Sequence, residues 1–323
     1  MARRRQIKAT VEDRSRDLIS PLPVEIKHII LECLPTRDAA RTALLSTHWN
    51  DVWLQHGRLA FDYDFIYSVE QGDDDKGRTL IDIINNIILF RAGPVKKFTL
   101  YVKHYYRQSD LDRWCLFLSR NGVEELIIKF CNCGEDEYRL PFCILSCRTI
   151  KQMSVDGPFI DFPYVEASLF ATAINLQVLG LYELRFRCAK QLTTAMQLLQ
   201  KCPNVCELGI TTYQEVSKFD EEAASRLLED PDGCFIIQDL KMLNTIKIES
   251  FRGSTVEILF VKMLLSKSPA LEKVVIMESC FIDTSVAVKS LRELLRFPRA
   301  SPKAQIVCME HKGAMSGWAM GEL

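Results

Sequence analysis

Hydrophobic positions from residue 95 onward follow one pattern that returns at a nearly constant distance. Each occurrence reads apolar-x-x-apolar-x-apolar, as expected for a short strand whose alternate side chains face a core. Successive occurrences begin 28, 27, 26, 29, 38 and 28 residues apart, so the period predicts a repeat protein. The seven occurrences are Val95/Phe98/Leu100, Val123/Leu126/Ile128, Ile150/Met153/Val155, Leu176/Leu179/Leu181, Val205/Leu208/Ile210, Leu243/Ile246/Ile248 and Leu271/Val274/Ile276.

Segments with the apolar spacing of helices lie between these predicted strands, at residues 80–90, 111–122, 189–203 and 256–269. A strand and a helix that alternate every 26–29 residues predict an α/β fold, a short and irregular leucine-rich-repeat solenoid whose units share one core. The Asn that is usual at the inner turn of such repeats is absent, and only Cys131 occupies that position. The 38-residue interval contains the acidic stretch 215–233, which predicts a loop in a degenerate unit or an insertion.

Residues 17–56 differ from the rest and predict three short helices. Pro21 and Pro23 open the first helix and Pro35 ends it. The apolar positions of the three helices are Leu22, Ile26, Ile29, Ile30 and Leu34, then Leu44 and Leu45, then Trp49, Val52 and Trp53. A unit of about 40 residues rarely buries enough apolar surface to stand alone. Its apolar faces are therefore covered either by the following domain or by another protein.

This segment resembles an F-box. The match covers Leu22, Pro23 and Glu25 at its start, the apolar run, the stretch LPTRDAARTALLS and the two tryptophans. Members of the family usually carry Lys or Arg around the first tryptophan, whereas this chain has His48 and Asn50 there. Residues 110–130 and the C-terminal third resemble the early repeats and the FBD region of plant F-box/FBD/LRR-repeat proteins.

The resemblance divides the chain into a small all-helical F-box and the repeats that follow it. The expected domains are a basic tail at 1–16, the F-box at 17–56, leucine-rich repeats at 57–236, the FBD region with the last repeats at 237–311, and a tail at 312–323. Members of the family are usually longer and have more repeats in the middle. The set of repeats in this chain is shorter, so a truncated paralogue with partial function stays an open alternative.

The resemblance also implies a role in an SCF-type ubiquitin ligase. The chain would be a non-catalytic subunit without a cofactor, which binds a Skp-type adaptor, and through it a cullin, and holds an unknown target protein on its repeats. The implied adaptor-binding residues are Leu22, Pro23, Ile26, Ile29, Ile30, Leu34, Pro35, Leu44, Leu45, Trp49 and Trp53. Two alternatives stay open, a ligase-independent scaffold and a receptor in which a small molecule joins solenoid and target.

Composition and charge narrow the classes of partner. The 41 Lys and Arg residues nearly balance the 42 Asp and Glu residues, so the net charge of −1 gives no general attraction to nucleic acid or an anionic membrane. The sequence shows neither an apolar signal segment at its start nor a stretch of about 20 apolar residues. We therefore expect reduced cysteines and a location in the nucleus or cytoplasm.

The six basic residues in 1–16 are either a solvated terminus or an import or RNA-binding signal.

Candidate chemistry is weak elsewhere in the chain. The best zinc cluster is Cys131, Cys133, Cys143 and Cys147, but its spacing lacks the usual CxxC pairs, so we expect core cysteines instead. Asp73–Asp75 lack the alternating spacing of a calcium loop and predict a solvated loop over 71–78. One basic and aromatic stretch is either a solvated strand and turn or a contact for RNA, an anionic cofactor or an acidic degron. It contains Lys96, Lys97, Tyr101, Lys103, His104, Tyr105, Tyr106 and Arg107.

Overall fold

A computed structural model describes residues 19–70, 76–104, 106–130, 138, 140–157, 173–213, 221–229, 238–280 and 284–309. Within these ranges the chain forms one parallel sheet in which each of nine strands pairs with its neighbours in sequence. Parallel neighbours require a crossover connection, and helices supply it in most units. The expected tails at 1–16 and 312–323 lie outside the described residues.

The strands are β1 Arg58–Phe61, β2 Lys97–Val102, β3 Glu125–Phe130, β4 Gln152–Asp156, β5 Val178–Leu184, β6 Glu207–Thr212, β7 Thr245–Phe251, β8 Lys273–Glu278 and β9 Gln305–Met309. The helices are α1 Val24–Glu32, α2 Thr36–Thr42, α3 Thr47–Gln55, α4 Tyr63–Glu70, α5 Lys76–Leu89, α6 Gln108–Arg120, α7 Phe142–Leu145, α8 Ala189–Lys201, α9 Glu221–Glu229, α10 Thr255–Lys267 and α11 Thr284–Arg296. None of these helices has both the length and the apolar character needed to cross a membrane.

The strand pairing stacks the predicted triplets on one another. Phe98 of β2 pairs with Leu126 of β3, which pairs with Met153 of β4. The same register continues through Leu179, Leu208, Ile246, Val274 and Ile306. All seven predicted triplets are buried, and they belong to one continuous apolar core. The prediction of an α/β leucine-rich-repeat solenoid after a helical N-terminus is confirmed.

The 38-residue interval contains a helix where the acidic composition predicted a loop. Helix α9 packs against α8 and α10, while β6 and β7 remain paired neighbours. Its apolar residues Ala224, Leu227 and Leu228 are spaced i, i+3 and i+4, so they share one face and contact the core. The loop prediction over 215–233 was wrong for this helix, and the interval is a strand–helix unit of greater length.

Two further boundaries differ from the predicted ones. The alternation of apolar and polar residues over 59–65 predicts a strand of that length after Gly57. Strand β1 stops at Phe61 instead, because Asp62 Oδ1 accepts a hydrogen bond from the Phe65 backbone N–H at 3.0 Å and so starts α4. Helix α5 begins at Lys76, inside the stretch 71–78 that was predicted to be a loop. The Asp73–Asp75 triplet itself lies outside the described residues.

The N-terminal helices and the repeats form one body. The Thr36 side-chain oxygen accepts a hydrogen bond from the backbone N–H of Ala60 at 2.8 Å, so α2 covers part of the outer edge of β1. Arg58 Nη1 donates to the Glu32 carbonyl at 2.5 Å, at the end of α1. Leu31 and Ala39 belong to the same apolar core as the strands. The first three helices therefore pack on the first repeat along their inner side only.

Candidate functional site

Large exposed apolar side chains are concentrated on α1 and in the turn between α2 and α3. Ile26 and Ile29 are 42% and 57% exposed, and Leu44 and Leu45 are 87% and 63% exposed. Large apolar side chains that stay exposed within one short segment are typical of an interaction site. We call Ile26, Ile29, Leu44 and Leu45 the apolar face. Ile19 and Val24, which are also exposed, were missed in the sequence because Ile19 precedes the apolar stripe and Val24 lies between two of its positions.

The structure divides the eleven predicted adaptor-binding residues into three groups. The exposed group consists of Pro23, Ile26, Ile29, Pro35, Leu44 and Leu45. The half-buried group consists of Leu22, Ile30 and Leu34. The buried group consists of Trp49 and Trp53.

The burial of the two tryptophans corrects one expectation. Trp49 and Trp53 are 1% and 7% exposed, so they do not offer a surface to another protein. Together with Val52 they occupy the core-facing side of α3, because their i, i+3 and i+4 spacing places them on one side of the helix. Both rings belong to the core that the helical unit shares with the first repeat.

A lysine lies inside the helical unit. Lys27 is fully buried; its Nζ donates to the Ser20 carbonyl at 2.7 Å and lies 5.3 Å from the centre of the Trp49 ring. The ammonium group is thus solvated by a carbonyl and an aromatic face. This contact joins the segment before α1 to α3. Nothing in the sequence indicates this burial, because Lys27 is one polar residue within an apolar run.

Arg91 joins the end of α3 to the first repeat. Its Nη1 donates to the Trp53 carbonyl at 2.7 Å, its Nη2 donates to the His56 carbonyl, and its guanidinium lies 5.0 Å from the centre of the Trp53 ring. Burial lowers the pKa of Arg91 to about 10, so the group stays charged at neutral pH. Burial, followed by the charge of Arg91, lowers the pKa of His56 to about 4, which keeps that imidazole neutral.

Backbone contacts strengthen the same junction. The N–H groups of Ala92 and Gly93 donate to the Leu54 carbonyl at 3.0 and 3.3 Å. A Cβ at Gly93 would lie 2.9 Å from the Cα of Gln55, so the close approach of the two segments requires glycine. The chain therefore passes from the helical unit into the sheet through a packed connection, which fixes the apolar face relative to the repeats.

The rows of side chains that alternate with the core rows form the open face of the sheet. Over β1–β3 this face carries the cations Arg58, Lys97 and Lys129 and one anion, Glu125, which is paired with Lys97. Over β4–β7 acidic residues are in excess: the face carries Asp156, Glu183, Glu207 and Glu249 against Lys247, which is paired with Glu207 at 2.6 Å. Burial, followed by the charge of Glu183, raises the pKa of Asp156 to about 6. The open face thus changes sign along the solenoid.

The four cysteines considered as a zinc cluster lie only partly within the described residues. Cys131 and Cys133 lie outside the described residues, whereas Cys147 is buried and its Sγ lies 3.8 Å from the Val123 carbonyl. Among the residues that the structure places, there is no group of three or more His, Cys, Asp or Glu side chains suited to a metal.

The basic and aromatic stretch is shared between core and surface. Lys103 forms an ion pair with Glu70 at 3.7 Å and lies over the rings of Tyr63 and Tyr101. Tyr106 is buried against Trp114. The stretch therefore does not form a single exposed surface in its described part, and Tyr105 lies outside that part.

Comparison with known proteins gives one domain match and several plant relatives. Residues 19–60 match the F-box domain. The chain is 24% identical over 420 positions to F-box/FBD/LRR-repeat protein At1g13570 of Arabidopsis thaliana, which covers 92% of this chain and 99% of that protein. It is 24% identical to F-box/FBD/LRR-repeat protein At5g56420 of the same plant over 74% of this chain and 56% of that protein. It is 30% identical to F-box protein At3g59000 over 50% of this chain and 34% of that protein.

The chain thus spans nearly all of the first relative, but only about half and one third of the other two. The first alignment is longer than the 323 residues of this chain, so that relative has segments that this chain lacks. All nine strands nevertheless pair in order. The difference in length is therefore not accompanied by a break in the described sheet.

Proposed function

Because the chain contains an F-box domain and is homologous to the plant F-box/FBD/LRR-repeat proteins, we propose that it is the substrate-recognition subunit of an SCF-type ubiquitin ligase. The observation that carries the proposal is the apolar face, Ile26, Ile29, Leu44 and Leu45, which stays exposed while the same helices are anchored on their other side.

In this proposal a Skp-type adaptor covers the apolar face. Short helices that present isoleucine and leucine side chains suit a hydrophobic groove on a partner, the helix-in-groove mode of recognition. Leu22, Ile30 and Leu34, which are half-buried, would lie at the margin of the contact. A few central anchors would supply most of the binding energy, and Leu44 is the most exposed of them.

The proposed contribution to ubiquitin transfer is positional. The repeats hold a target protein while the adaptor connects the chain to a cullin, so the target meets the transferring enzyme at a high local concentration. The chain itself performs no covalent chemistry, because the catalytic cysteine belongs to other subunits. The proposed place of action is the nucleus or the cytoplasm.

A second function, a scaffold that acts without the ligase, is favoured by the segments that this chain lacks relative to the protein At1g13570. A shorter array offers less surface for a target. Such a scaffold would still bind the adaptor or another partner, but it would not recruit a cullin.

Co-purification of the full chain with a Skp-type adaptor and a cullin tests both functions. Recovery of adaptor and cullin together supports the ligase subunit, whereas recovery of the adaptor alone, or of neither protein, supports the scaffold. The double variant Leu44→Asp, Leu45→Asp should lose the adaptor. Leu89→Asp is the matched control, because Leu89 is 75% exposed at the end of α5, outside the F-box domain. Equal adaptor recovery with both variants would refute the proposed docking surface.

A further inference from the structure

A groove of about 360 Å³ lies in the corner between the end of α1 and strands β1–β3. Its volume is within the range of binding sites for small groups, and its position between the helical unit and the sheet is typical of such sites. We call it the corner groove. Its lining consists of Glu32, Arg58, Lys97, Phe98, Thr99, Glu125 and Ile127.

Two cations stand side by side in this groove. Arg58 and Lys97 are register partners on neighbouring parallel strands, so their backbones are about 4.8 Å apart. The ammonium group of Lys97 lies 3.2 Å from a carboxylate oxygen of Glu125. Arg58 donates to the carbonyl of Glu32, and in the described part of the chain no carboxylate pairs with its guanidinium. A guanidinium has five N–H donors, so Arg58 keeps donors for a ligand.

The surroundings select the sign of that ligand. An anion held over β1–β3 meets the cations Arg58, Lys97 and Lys129 on the open face. Two carboxylates also line the groove, those of Glu32 and Glu125, and that of Glu125 is paired with Lys97 at 3.2 Å. The guanidinium of Arg58 is therefore the cation that an added carboxylate would pair with. An anion held over β4–β7 would meet Asp156 and Glu249. Like charges at short distance are unfavourable, so an acidic residue is directed to the end of the sheet near the F-box domain.

We propose that the corner groove binds an acidic side chain, Asp or Glu, of an extended segment of the target protein. The inference rests on the proposed function, since it names the chemistry of the residue that the repeats recognise. The carboxylate accepts two parallel hydrogen bonds from Arg58, an arrangement that Lys does not reproduce. Lys97 adds a second positive charge, and Ile127 contacts the methylene groups. The carboxylate of Glu32 accepts a hydrogen bond from a backbone N–H group of the bound segment.

A peptide array tests the proposal with the full chain and without an adaptor. Immobilised octapeptides of varied sequence are screened, and the best binders are compared with twins in which each Asp or Glu is replaced by Asn or Gln. We expect acidic residues among the best binders and a loss of about tenfold in affinity for the amide twin, measured by fluorescence polarisation. Amide twins that bind as well as the acidic peptides, or the absence of any binder at about 1 mM, would overturn the proposal.

Variants locate the site within the chain. Arg58→Gln should remove the preference for the acidic peptide, and Lys97→Gln should reduce it without disturbing the contact between Arg58 and Glu32. Lys151→Gln is the matched control, because Lys151 pairs with Glu124 at 2.6 Å and does not line the groove. If the Arg58→Gln variant does not fold, the peptide preference of the Lys97→Gln variant tests the assignment. A full acidic preference in Lys97→Gln, or an equal loss in Lys151→Gln, would refute the assignment.

The peptide result and the adaptor result are independent. A chain that fails to bind a Skp-type adaptor but discriminates acidic from amide peptides would overturn the proposed function and retain the groove. A chain that binds adaptor and cullin but does not discriminate acidic from amide peptides would support the proposed function and refute the groove.

Discussion

The ammonium group of Lys27 lies 5.3 Å from the centre of the buried Trp49 ring. This contact explains how a small helical unit keeps its apolar face exposed without collapsing onto it. The inner side of α1 and α3 is occupied by Lys27, Leu31 and Trp49, so Ile26 and Ile29 on the other side of α1 have no place in the core. The exposure of the apolar face therefore follows from the packing of the inner side.

The double variant Leu44→Asp, Leu45→Asp should weaken binding to a Skp-type adaptor and leave the fold unchanged. Truncating or charging a central anchor costs roughly 2–4 kcal/mol of binding free energy. Both side chains are more than half exposed, so little core packing is lost. Isothermal titration calorimetry measures the affinity and circular dichroism measures the fold. Unchanged affinity would place the docking surface elsewhere.

Trp49→Ala should destabilise the whole chain. The substitution leaves a cavity in a packed core and removes the aromatic face that solvates Lys27, so we expect a loss of about 3–5 kcal/mol in the free energy of unfolding. Urea unfolding gives this quantity. A variant that keeps its stability but loses adaptor binding would show that Trp49 is a surface anchor after all.

Arg91→Ala should loosen the junction between the helical unit and the repeats. The change removes the donor to the His56 carbonyl, at a cost of about 1–3 kcal/mol for the buried acceptor, whereas the Trp53 carbonyl still accepts from the His56 N–H at 3.1 Å. Hydrogen exchange should accelerate in α3 and β1. Arg91→Lys, which keeps the charge but has no fork to reach both carbonyls, should lie between Arg91→Ala and the wild type. Unchanged exchange in Arg91→Ala would mean that the backbone contacts alone hold the junction.

The buried imidazole of His56 should make stability fall on acidification. The pKa of His56 is about 4 in the folded chain, against an ordinary value of 6.5, so the unfolded chain binds this proton first. Stability is therefore lost as the pH falls from about 6.5 towards about 4. The raised pKa of Asp156, about 6, acts in the opposite direction below that pH. The informative quantity is thus the difference between His56→Gln and the wild type.

Urea unfolding at several pH values measures that difference. The glutamine variant should lose stability less steeply than the wild type between pH 6.5 and 4, because the titrating group is gone. Parallel curves for the two proteins would show that His56 titrates normally in the folded chain.

The sequence predicted the features that depend on local spacing. The seven apolar triplets, the three N-terminal helices and the alternation of strand and helix all appear where the pattern placed them. Helix α9 was missed because its acidic residues concealed a short apolar face. The burial of Lys27 and Trp49 was missed because an apolar stripe does not state which of its residues face inward once three helices pack on a sheet.

The corner groove was also beyond prediction from sequence. It depends on the register that places Arg58 beside Lys97 and on the packing of α1 against β1, and both are set by contacts between residues far apart in the chain. The residue types alone gave only a basic stretch. Arg58 and Lys97 become neighbours only when the strands of successive repeats pair side by side.

The hydrogen bond from the Ala60 N–H to the Thr36 side chain has an evolutionary consequence. Helix α2 occupies the outer edge of β1, so duplication of a strand–helix unit during evolution cannot add a strand there. New units can be added only after β1, on the side of the sheet away from α2. Related proteins that gain or lose units would therefore keep the same distance between β1 and the apolar face. A change in the number of units would change only how far the last strand lies from that face.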